Sequence, residues 1–346
     1  MTDPLLKIED LNVGYETYRG TSSVLKNLDM EVHKGEKIGV IGESGCGKTT
    51  TMKTVNRILP SNANITSGSV YFEGEDVLDM DEKQLMNHRR NKVSMVPQDP
   101  TASLNPLFKV ETQMRDVLRY SRREEENLNP FVKVKNQIKN LLRMSDKKDK
   151  KDKEYYKEKS LQLFEDVKLS DPERVYDSYP FQLSGGMRQR VCIAMSIATP
   201  KDLLILDEPT TNLDVTIQDQ VFRLIKDILD KEKYTAILVS QALGAVKKFV
   251  DRIYVFYGGT VVEVAPTEKI FSDPVHPYTR GLLNSTPKLT GGGFSVGIEG
   301  QTPDYVYPPS GCRFHPRCPE ASEECEEEVP EMVKVDKDHY VACGGK

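Results

Sequence analysis

Residues 42–50 have the types and the spacing that bind phosphate groups. The pattern G-x-x-x-x-G-K-[ST] is met by Gly42, Glu43, Ser44, Gly45, Cys46, Gly47, Lys48, Thr49 and Thr50. Glycines let the backbone curl so that successive N–H groups point at phosphate oxygens. Lys48 is predicted to reach the β- and γ-phosphates of a nucleotide, and the Thr49 hydroxyl is predicted to bind Mg²⁺. Cys46 is interpreted as a small filler of this loop and not as a reactive thiol.

Two carboxylates, Asp207 and Glu208, follow an apolar run further along the chain. Residues 203–206 read Leu-Leu-Ile-Leu, which is typical of a parallel strand buried on both faces. In this architecture, residues at the carboxyl end of such a strand face the phosphate loop. Asp207 is therefore predicted to help bind Mg²⁺, and Glu208 is predicted to be the base that polarises the attacking water.

The elements that must position these residues are a strand before the phosphate loop and a helix after it. Residues 37–41 form a short apolar run that predicts the strand. The helix that follows the loop would add its positive N-terminal end to the phosphate site. Strand, loop and helix together indicate a nucleotide-binding α/β fold.

Composition sets broad limits on the class of protein. The chain has 346 residues, of which 38% are hydrophobic, enough for one large α/β domain with an appendage. No run approaches the roughly 20 apolar residues that span a bilayer, and the first residues lack the features of a signal peptide, so a cytosolic location is expected. The net charge of -5, with both signs mixed along the chain, gives no indication of a nucleic-acid-binding surface.

The segment around residue 185 narrows the class of nucleotide-binding protein. It reads Leu-Ser-Gly-Gly-Met-Arg-Gln-Arg over residues 183–190 and resembles the signature motif of the ABC transporter family, at the position that family requires. Ser184, Gly185 and Gly186 open a helix whose free N–H groups can bind a γ-phosphate. In that family the phosphate belongs to ATP held by a partner subunit, so the resemblance implies a dimer of ATPase subunits.

Other positions match the family one at a time. Gln98 resembles the glutamine that touches Mg²⁺ and water and faces the membrane subunits, and Asp214 resembles the aspartate that links the two ATP sites. Tyr15 stands where the family places an aromatic ring that stacks on adenine, with Tyr18 as a competitor.

The fold that the resemblance implies is α/β, with an ABC-type P-loop NTPase core. We expect a parallel sheet, an antiparallel N-terminal sheet and a helical subdomain at about 99–195, all within an ATPase domain at 1–270. A small metal-binding tail would lie in an extension at 271–346.

Residue 241 departs from the family pattern. After the predicted strand 235–240 the family has His-Asp, whereas this chain has Gln241 and Ala242. A glutamine can donate a hydrogen bond to a γ-phosphate but cannot carry a positive charge. We hypothesise an asymmetric heterodimer in which ATP held by Lys48 is hydrolysed slowly or retained, while Ser184 and its glycines complete a competent site on a related ATPase. The alternative is that Gln241 replaces the histidine adequately, because hydrogen-bond geometry matters more than charge.

The C-terminal extension contains four of the six cysteines: Cys312, Cys318, Cys325 and Cys343. A compartment that keeps thiols reduced favours a metal over disulfides for such a group. Residues 273–283 and 311–319 resemble segments of the ATP-binding subunits of oligopeptide and dipeptide importers, whose tails can ligate an iron-sulfur cluster. A 4Fe-4S cluster is therefore favoured over zinc, whose sites prefer short CxxC pairs, and free cysteines are the third interpretation.

The expected role of the metal is to staple a tail that has little apolar surface to bury. Redox sensing is a more specific hypothesis for the role of the metal, and the sequence does not support it. His315 and His339 are alternative ligands, but both are expected at the surface.

Residues at about 119–157 are interpreted as an insertion of roughly thirty residues relative to the subfamily. The charges alternate in sign over residues 146–154, which predicts a solvated helix or a loop. Before that segment, apolar residues with helix-like spacing are predicted to cover the helical subdomain or to contact a partner: Phe131, Val132, Val134, Ile138, Leu141 and Leu142.

The resemblance implies an ATP-binding subunit that drives peptide import from the cytoplasmic face of a membrane. Its partners would be a second ATPase subunit, two integral membrane permeases and an extracellular solute-binding protein. An alternative cargo is nickel or another small solute. A soluble ABC ATPase with an iron-sulfur tail is the competing function.

Overall fold

The computed structural model describes residues 3–127, 146–211, 213–232, 234–285 and 297–344. They form two compact units. The first contains the described residues up to 85 and those from 234 onward, and the second contains those from 86 to 232. The apolar residues 131–142 of the predicted insertion lie outside the described residues. Within the described ranges, no helix is both long enough and apolar enough to span a membrane.

The strands of the described residues, in chain order, are β1 (Leu6–Thr17), β2 (Gly20–Val32), β3 (Lys37–Ile41), β4 (Ala63–Phe72), β5 (Glu75–Asp76), β6 (Val93–Val96), β7 (Leu203–Asp207), β8 (Thr235–Val239), β9 (Arg252–Tyr257), β10 (Thr260–Pro266), β11 (Met332–Asp336) and β12 (His339–Ala342). The α-helices are α1 (Lys48–Val55), α2 (Glu82–Asn87), α3 (Pro100–Ser103), α4 (Val110–Asn127), α5 (Asp146–Asp166), α6 (Pro172–Asp177), α7 (Gly185–Ser196), α8 (Val215–Glu232), α9 (Leu243–Phe249), α10 (Thr267–Ser272), α11 (Pro277–Asn284) and α12 (Glu323–Glu327). Shorter helical turns are a π-helix at His88–Lys92 and 3-10 helices at Pro180–Gln182 and His315–Arg317.

The first unit contains two groups of paired strands. Strands β2, β1, β4 and β5 form an antiparallel sheet in that order, as the sequence predicts for the N-terminal part. Strands β11, β12, β10, β9, β3 and β8 follow one another in the other group. Within it β3 runs parallel to both β8 and β9, while β9, β10, β12 and β11 pair antiparallel.

Strands β3 and β8 have the composition of strands that are covered on both faces. Every residue of β8 is buried, as is every residue of β3 after Lys37. Aliphatic side chains tolerate burial on both faces of a sheet, and the predictions of strands at 37–41 and 235–240 are confirmed to within one residue. Their parallel register places Val40 opposite Val239. The chain therefore leaves both strands at the same edge.

The second unit combines a parallel strand pair with helices. Strand β6 pairs with the fully buried β7, and Val96 lies opposite Leu206. Helix α4 has one buried face, formed by Val110, Met114 and Leu118, which are spaced four residues apart. Helix α5 begins in the charged segment, where the solvated helix was expected, and Lys153 and Glu154 are exposed.

Candidate nucleotide site and cysteine cluster

The phosphate loop of the first unit connects β3 to α1. Gly45 and Gly47 have φ angles of 78° and 102°, which glycine adopts readily and other residues rarely do. Lys48 is buried, and its ammonium group donates hydrogen bonds of 2.8 Å to the carbonyl oxygens of Gly42 and Glu43. The loop therefore encloses one positive charge, and this arrangement suits an anionic ligand. Cys46 is also buried, and burial raises the pKa of its thiol, which fits a packing role.

Tyr15, on β1, lies beside the first turn of the helix that follows this loop. Its hydroxyl group is 3.2 Å from the hydroxyl of Thr50, in the first turn of α1. Tyr18, the competing candidate for adenine stacking, is 98% exposed. The structure thus places Tyr15, and not Tyr18, next to the phosphate loop.

Gln241 follows the end of β8, alongside the strand that enters the phosphate loop. The amide of Ser240 donates a 3.2 Å hydrogen bond to the carbonyl oxygen of Val40, two residues before Gly42. Gln241 itself is exposed, whereas Ser240 is buried and its hydroxyl accepts a hydrogen bond from the amide of Ala242. Gln241 thus lies at the sheet edge where β3 leads into the phosphate loop.

The carboxylates of the second unit lie where β7 ends. Asp207 and Glu208 are both buried, at 1% and 8% exposure. The amide group of Gln98 donates a 2.8 Å hydrogen bond to the Glu208 carboxylate, and the Thr211 hydroxyl donates another of 3.0 Å. Glu208 has a φ of 45°, a left-handed conformation that is unusual for a residue with a side chain and recurs at functional sites.

The signature segment caps a helix of the second unit. The Ser184 hydroxyl accepts a 3.3 Å hydrogen bond from the amide of Met187 at the start of α7. A Cβ atom on Gly186 would lie 2.9 Å from the side chain of Ile217, so the absence of a side chain permits this approach. Asp214 is exposed, and its carboxylate accepts a 3.0 Å hydrogen bond from the amide of Ile217. The signature and the Asp214 segment are therefore packed against one another.

The structure adds residues that the sequence did not single out as site residues. Thr211 contacts Glu208 as described above. In the first unit, the Arg317 guanidinium makes hydrogen bonds of 2.7 and 3.1 Å to the Glu43 carboxylate, and the Tyr278 hydroxyl accepts a 2.9 Å hydrogen bond from the Glu43 amide. Thr211 stands within the Asp214 motif and could have been found there. No local pattern links Glu43 to residues more than 230 positions away.

The four cysteines of the extension line one small cavity of about 40 Å³. It is also bordered by His276, Pro277, Phe314, His315, Glu320 and Gly344. The amide of Cys312 donates a 2.9 Å hydrogen bond to the carbonyl of Cys325, which joins two of the cysteine segments. Burial raises the thiol pKa of Cys312 and of Cys318. The extension thus brings all four of its cysteines to the wall of one cavity.

The geometry around this cavity does not support the predicted metal-binding tail. Among the described residues, no group of three or more His, Cys, Asp or Glu side chains is placed to hold one ion. His315 borders the cavity, whereas His339 does not. The expectation that His339 lies at the surface is wrong: it is 1% exposed, and its Nε2 atom lies 2.7 Å from the equally buried Glu263 carboxylate. Pairing of β12 with β10 buries both residues.

Comparison with known proteins gives matches over almost the whole chain. A family model described as "ABC transporter" matches residues 25–211, and one described as "Oligopeptide/dipeptide transporter, C-terminal region" matches residues 262–325. The chain is 36% identical to the probable peptide ABC transporter ATP-binding protein y4tR of Sinorhizobium fredii, over 99% of this chain and 95% of that protein. It is 37% identical to the oligopeptide transport ATP-binding protein OppD of Bacillus subtilis, over 97% of this chain and 87% of that protein.

Solved structures agree on the fold. The dimeric post-hydrolysis structure of the ATP-binding cassette MJ0796, bound to ADP and Pi, has a TM-score of 0.60 and covers 76% of this chain and 98% of its own. Its sequence identity of 22% limits the likeness to the fold.

The chain therefore belongs to the ABC transporter family of ATPases, and its fold is the α/β fold of that family. Within the family it belongs with the ATP-binding proteins of the oligopeptide and dipeptide transporter type, because it carries their C-terminal region and is similar to them over nearly its full length. The predicted family resemblance is confirmed.

Proposed function

We propose that this chain is the ATP-binding subunit of an importer of oligopeptides or dipeptides. The observation that carries the proposal is the similarity, over 97–99% of the chain, to proteins named for peptide transport. In this proposal the chain acts at the cytoplasmic face of the membrane, with two permeases, a second ATPase subunit and an external solute-binding protein. ATP binding would close the ATPase dimer, and the closure would move the permeases.

Roles in the nucleotide site are proposed from the contacts within each unit. Lys48 and the loop amides hold the phosphates, Thr49 and Asp207 bind Mg²⁺ with Gln98, and Tyr15 stacks on adenine. Glu208 polarises the attacking water, and its hydrogen bond from Gln98 supports that role because the bond fixes the carboxylate. Ser184, Gly185, Gly186 and Asp214 would act on the ATP of the partner ATPase.

We also propose that the two ATPase subunits differ. The support is Gln241, which stands beside the strand entering the phosphate loop and carries no charge. A neutral donor stabilises the transition-state charge less than a cationic one. ATP at this chain's own loop would then turn over slowly, and the partner would supply the faster site.

For the extension at 271–346, set apart from an ATPase domain at 1–270, we propose a bound 4Fe-4S cluster. The support is the cavity that all four cysteines line. Four thiolates suit either a 4Fe-4S cluster or zinc. We prefer the cluster because the C-terminal region is similar to that of oligopeptide and dipeptide transporters. When bound, the cluster would cross-link segments that bury little apolar surface of their own.

The test of the transport function is purification of the tagged chain from its native membrane, with mass spectrometry of the retained proteins. Two permeases, a second ATPase and a solute-binding protein are expected. A tagged Lys48→Ala variant serves as the control for the nucleotide site, and it is expected to retain the same proteins. Recovery of soluble partners alone would refute the transport function.

Cargo is tested by uptake in cells that lack the chain. Complementation with the wild-type chain is expected to restore uptake of a labelled peptide, and Lys48→Ala is expected to fail. Restored uptake of labelled nickel without uptake of peptide would contradict peptide import and support nickel as the cargo.

A further inference from the structure

The C-terminal extension reaches the first residues of the phosphate loop. Glu43 follows Gly42 directly, and its carboxylate is held by both terminal nitrogens of Arg317, at 2.7 and 3.1 Å. Such a bidentate pair fixes both the position and the orientation of the carboxylate. Arg317 precedes Cys318, so this contact comes from the cysteine-bearing segment.

Arg317 is itself held in place for this contact. Its side chain is 4% exposed, and its Nε atom donates a 2.9 Å hydrogen bond to the carbonyl oxygen of Glu299. The Nη2 atom donates to the carbonyl of Ile298 at 3.2 Å, and the guanidinium carbon lies 5.7 Å from the centre of the Tyr257 ring. The side chains of an exposed surface ion pair keep much of their rotational freedom. The contacts of Arg317 fix its side chain, so its ion pair with Glu43 is not of that kind.

The backbone of Glu43 is held on both sides of the residue. Its amide donates to the Tyr278 hydroxyl, and its carbonyl oxygen accepts from the Lys48 ammonium. Tyr278 is buried and packs against Tyr257 and Phe314, with ring centres 4.6 and 5.4 Å away. The same residue thus joins the extension to the lysine that is proposed to bind the phosphates.

We propose that Arg317 and Tyr278 are positioning residues of the phosphate loop, and that Arg317 keeps the Glu43 carboxylate from competing with phosphate for Lys48. The Lys48 ammonium is 2.8 Å from the Glu43 carbonyl oxygen, and a glutamate side chain is long enough to bring a released carboxylate to it. A carboxylate there would neutralise the ammonium and repel phosphate oxygens. The inference rests on the proposed nucleotide site.

The test measures the affinity of the full chain for a fluorescent ATP analogue in the presence of Mg²⁺. Arg317→Gln is expected to weaken binding about ten-fold, because it releases the Glu43 charge. Adding Glu43→Gln to that variant is expected to restore most of the affinity, since the released side chain is then neutral. Arg317→Lys, which keeps the charge but not the bidentate geometry, should fall between wild type and Arg317→Gln.

The matched control is Arg19→Gln. Arg19 pairs with Asp304 at 2.7 Å, so it also links the N-terminal part of the chain to the extension, but both side chains are exposed and lie outside the loop. This variant should bind the analogue like wild type. Tyr278→Phe, which removes the acceptor of the Glu43 amide, should weaken binding.

The outcomes distinguish failure of the proposed nucleotide site from failure of the positioning role. If wild type and Lys48→Ala bind the analogue equally, the proposed nucleotide site fails. If wild type binds and Arg317→Gln binds equally well, or if Arg317→Gln binds weakly and Glu43→Gln gives no recovery, the positioning role is refuted. Should Arg317→Gln not fold, as judged by thermal unfolding without nucleotide, the comparison of Arg317→Lys with and without Glu43→Gln decides in the same way.

Discussion

The side-chain amide of Gln98 donates a hydrogen bond of 2.8 Å to the carboxylate of Glu208, 110 residues further along the chain. The Thr211 hydroxyl donates to the same carboxylate oxygen. The proposed base is therefore oriented by two neutral donors. Because Gln98 donates this hydrogen bond to Glu208, a movement of Gln98 would change the orientation of the Glu208 carboxylate.

Replacing Glu208 by glutamine should separate binding from hydrolysis. The amide oxygen of a glutamine can still accept from Gln98 and Thr211, so the local structure should persist while the base is lost. We expect unchanged ATP binding and a fall in hydrolysis at this site of about 10²- to 10⁴-fold. The measurement is phosphate release by the assembled complex in the Gln241→His background, where this site should turn over fastest.

The matched control for that variant is Glu173→Gln. Glu173 belongs to the same unit and pairs with Lys157 at 3.6 Å on the surface. Its neutralisation should leave phosphate release unchanged. Retention of the Gln241→His rate by the Glu208→Gln chain would show that Glu208 is not the base.

Gln241→His should raise ATP turnover of the assembled complex. A charged hydrogen bond contributes about 1 kcal/mol more than a neutral one, which corresponds to roughly five-fold in rate if it acts in the transition state. The gain should be larger below the histidine pKa of about 6.5, where the imidazole is protonated, than above it. Gln241→Asn, a shorter neutral amide, is the control and should give no gain. An unchanged rate for Gln241→His would mean that glutamine is an adequate replacement and would remove the argument for asymmetry.

Local patterns predicted the parts of the fold that depend on neighbouring residues. Residues 37–41 are predicted as a short buried strand, and residues 203–206 are predicted as a strand because a continuous apolar run suits burial on both faces. Both strands are present. The phosphate loop and signature were found for the same reason, since their spacing is contained within ten residues. Family resemblance then supplied the roles that spacing could not.

Contacts between distant segments were beyond such reasoning. Arg317 and Glu43 are 274 residues apart, and nothing in either neighbourhood identifies the other. His339 is expected at the surface from the sequence, yet pairing of β12 with β10 buries it against Glu263. The burial of His339 and Glu263 follows from the order of the strands in the sheet. Hydrophobic periodicity along the chain does not reveal that order.

The Tyr15 ring should contribute to recognition of the base and not of the phosphates. Tyr15→Ala is expected to weaken ATP binding about ten-fold, since stacking on a base is worth about 1–3 kcal/mol. Tyr15→Phe loses the hydroxyl contact with Thr50 but keeps the ring, so its affinity should stay near wild type. Calorimetry with ATP and with inorganic triphosphate gives the comparison.

Inorganic triphosphate has no base, so its affinity should be the same for wild type and Tyr15→Ala. Tyr18→Ala is the control, because Tyr18 is almost fully exposed. An equal loss of affinity for ATP and triphosphate would indicate that Tyr15 supports the loop itself and does not stack on adenine.

The extension should contain iron and acid-labile sulfide, at roughly four of each per chain when purified without oxygen. Cys318→Ser is expected to lower both together, since it removes one ligand of the proposed cluster. Cys192→Ala is the matched control: that thiol is buried in α7 of the second unit, and burial raises its pKa to about 12, so it is inert. About one zinc per chain without sulfide would contradict the cluster and support the alternative metal.

The reactivity of the cysteine thiols tests the proposed cluster site without measuring iron, sulfide or enzymatic activity. In the metal-bound chain no cysteine should react rapidly with an alkylating reagent, because the four tail sulfurs are ligands and Cys46 and Cys192 are buried. Removal of the metal by a chelator should expose the tail thiols, which are only partly buried, and leave Cys46 and Cys192 protected. Full denaturation should make all six cysteines reactive. If the tail thiols react equally before and after chelation, they do not ligate a metal, and the cavity they line would need another occupant or none.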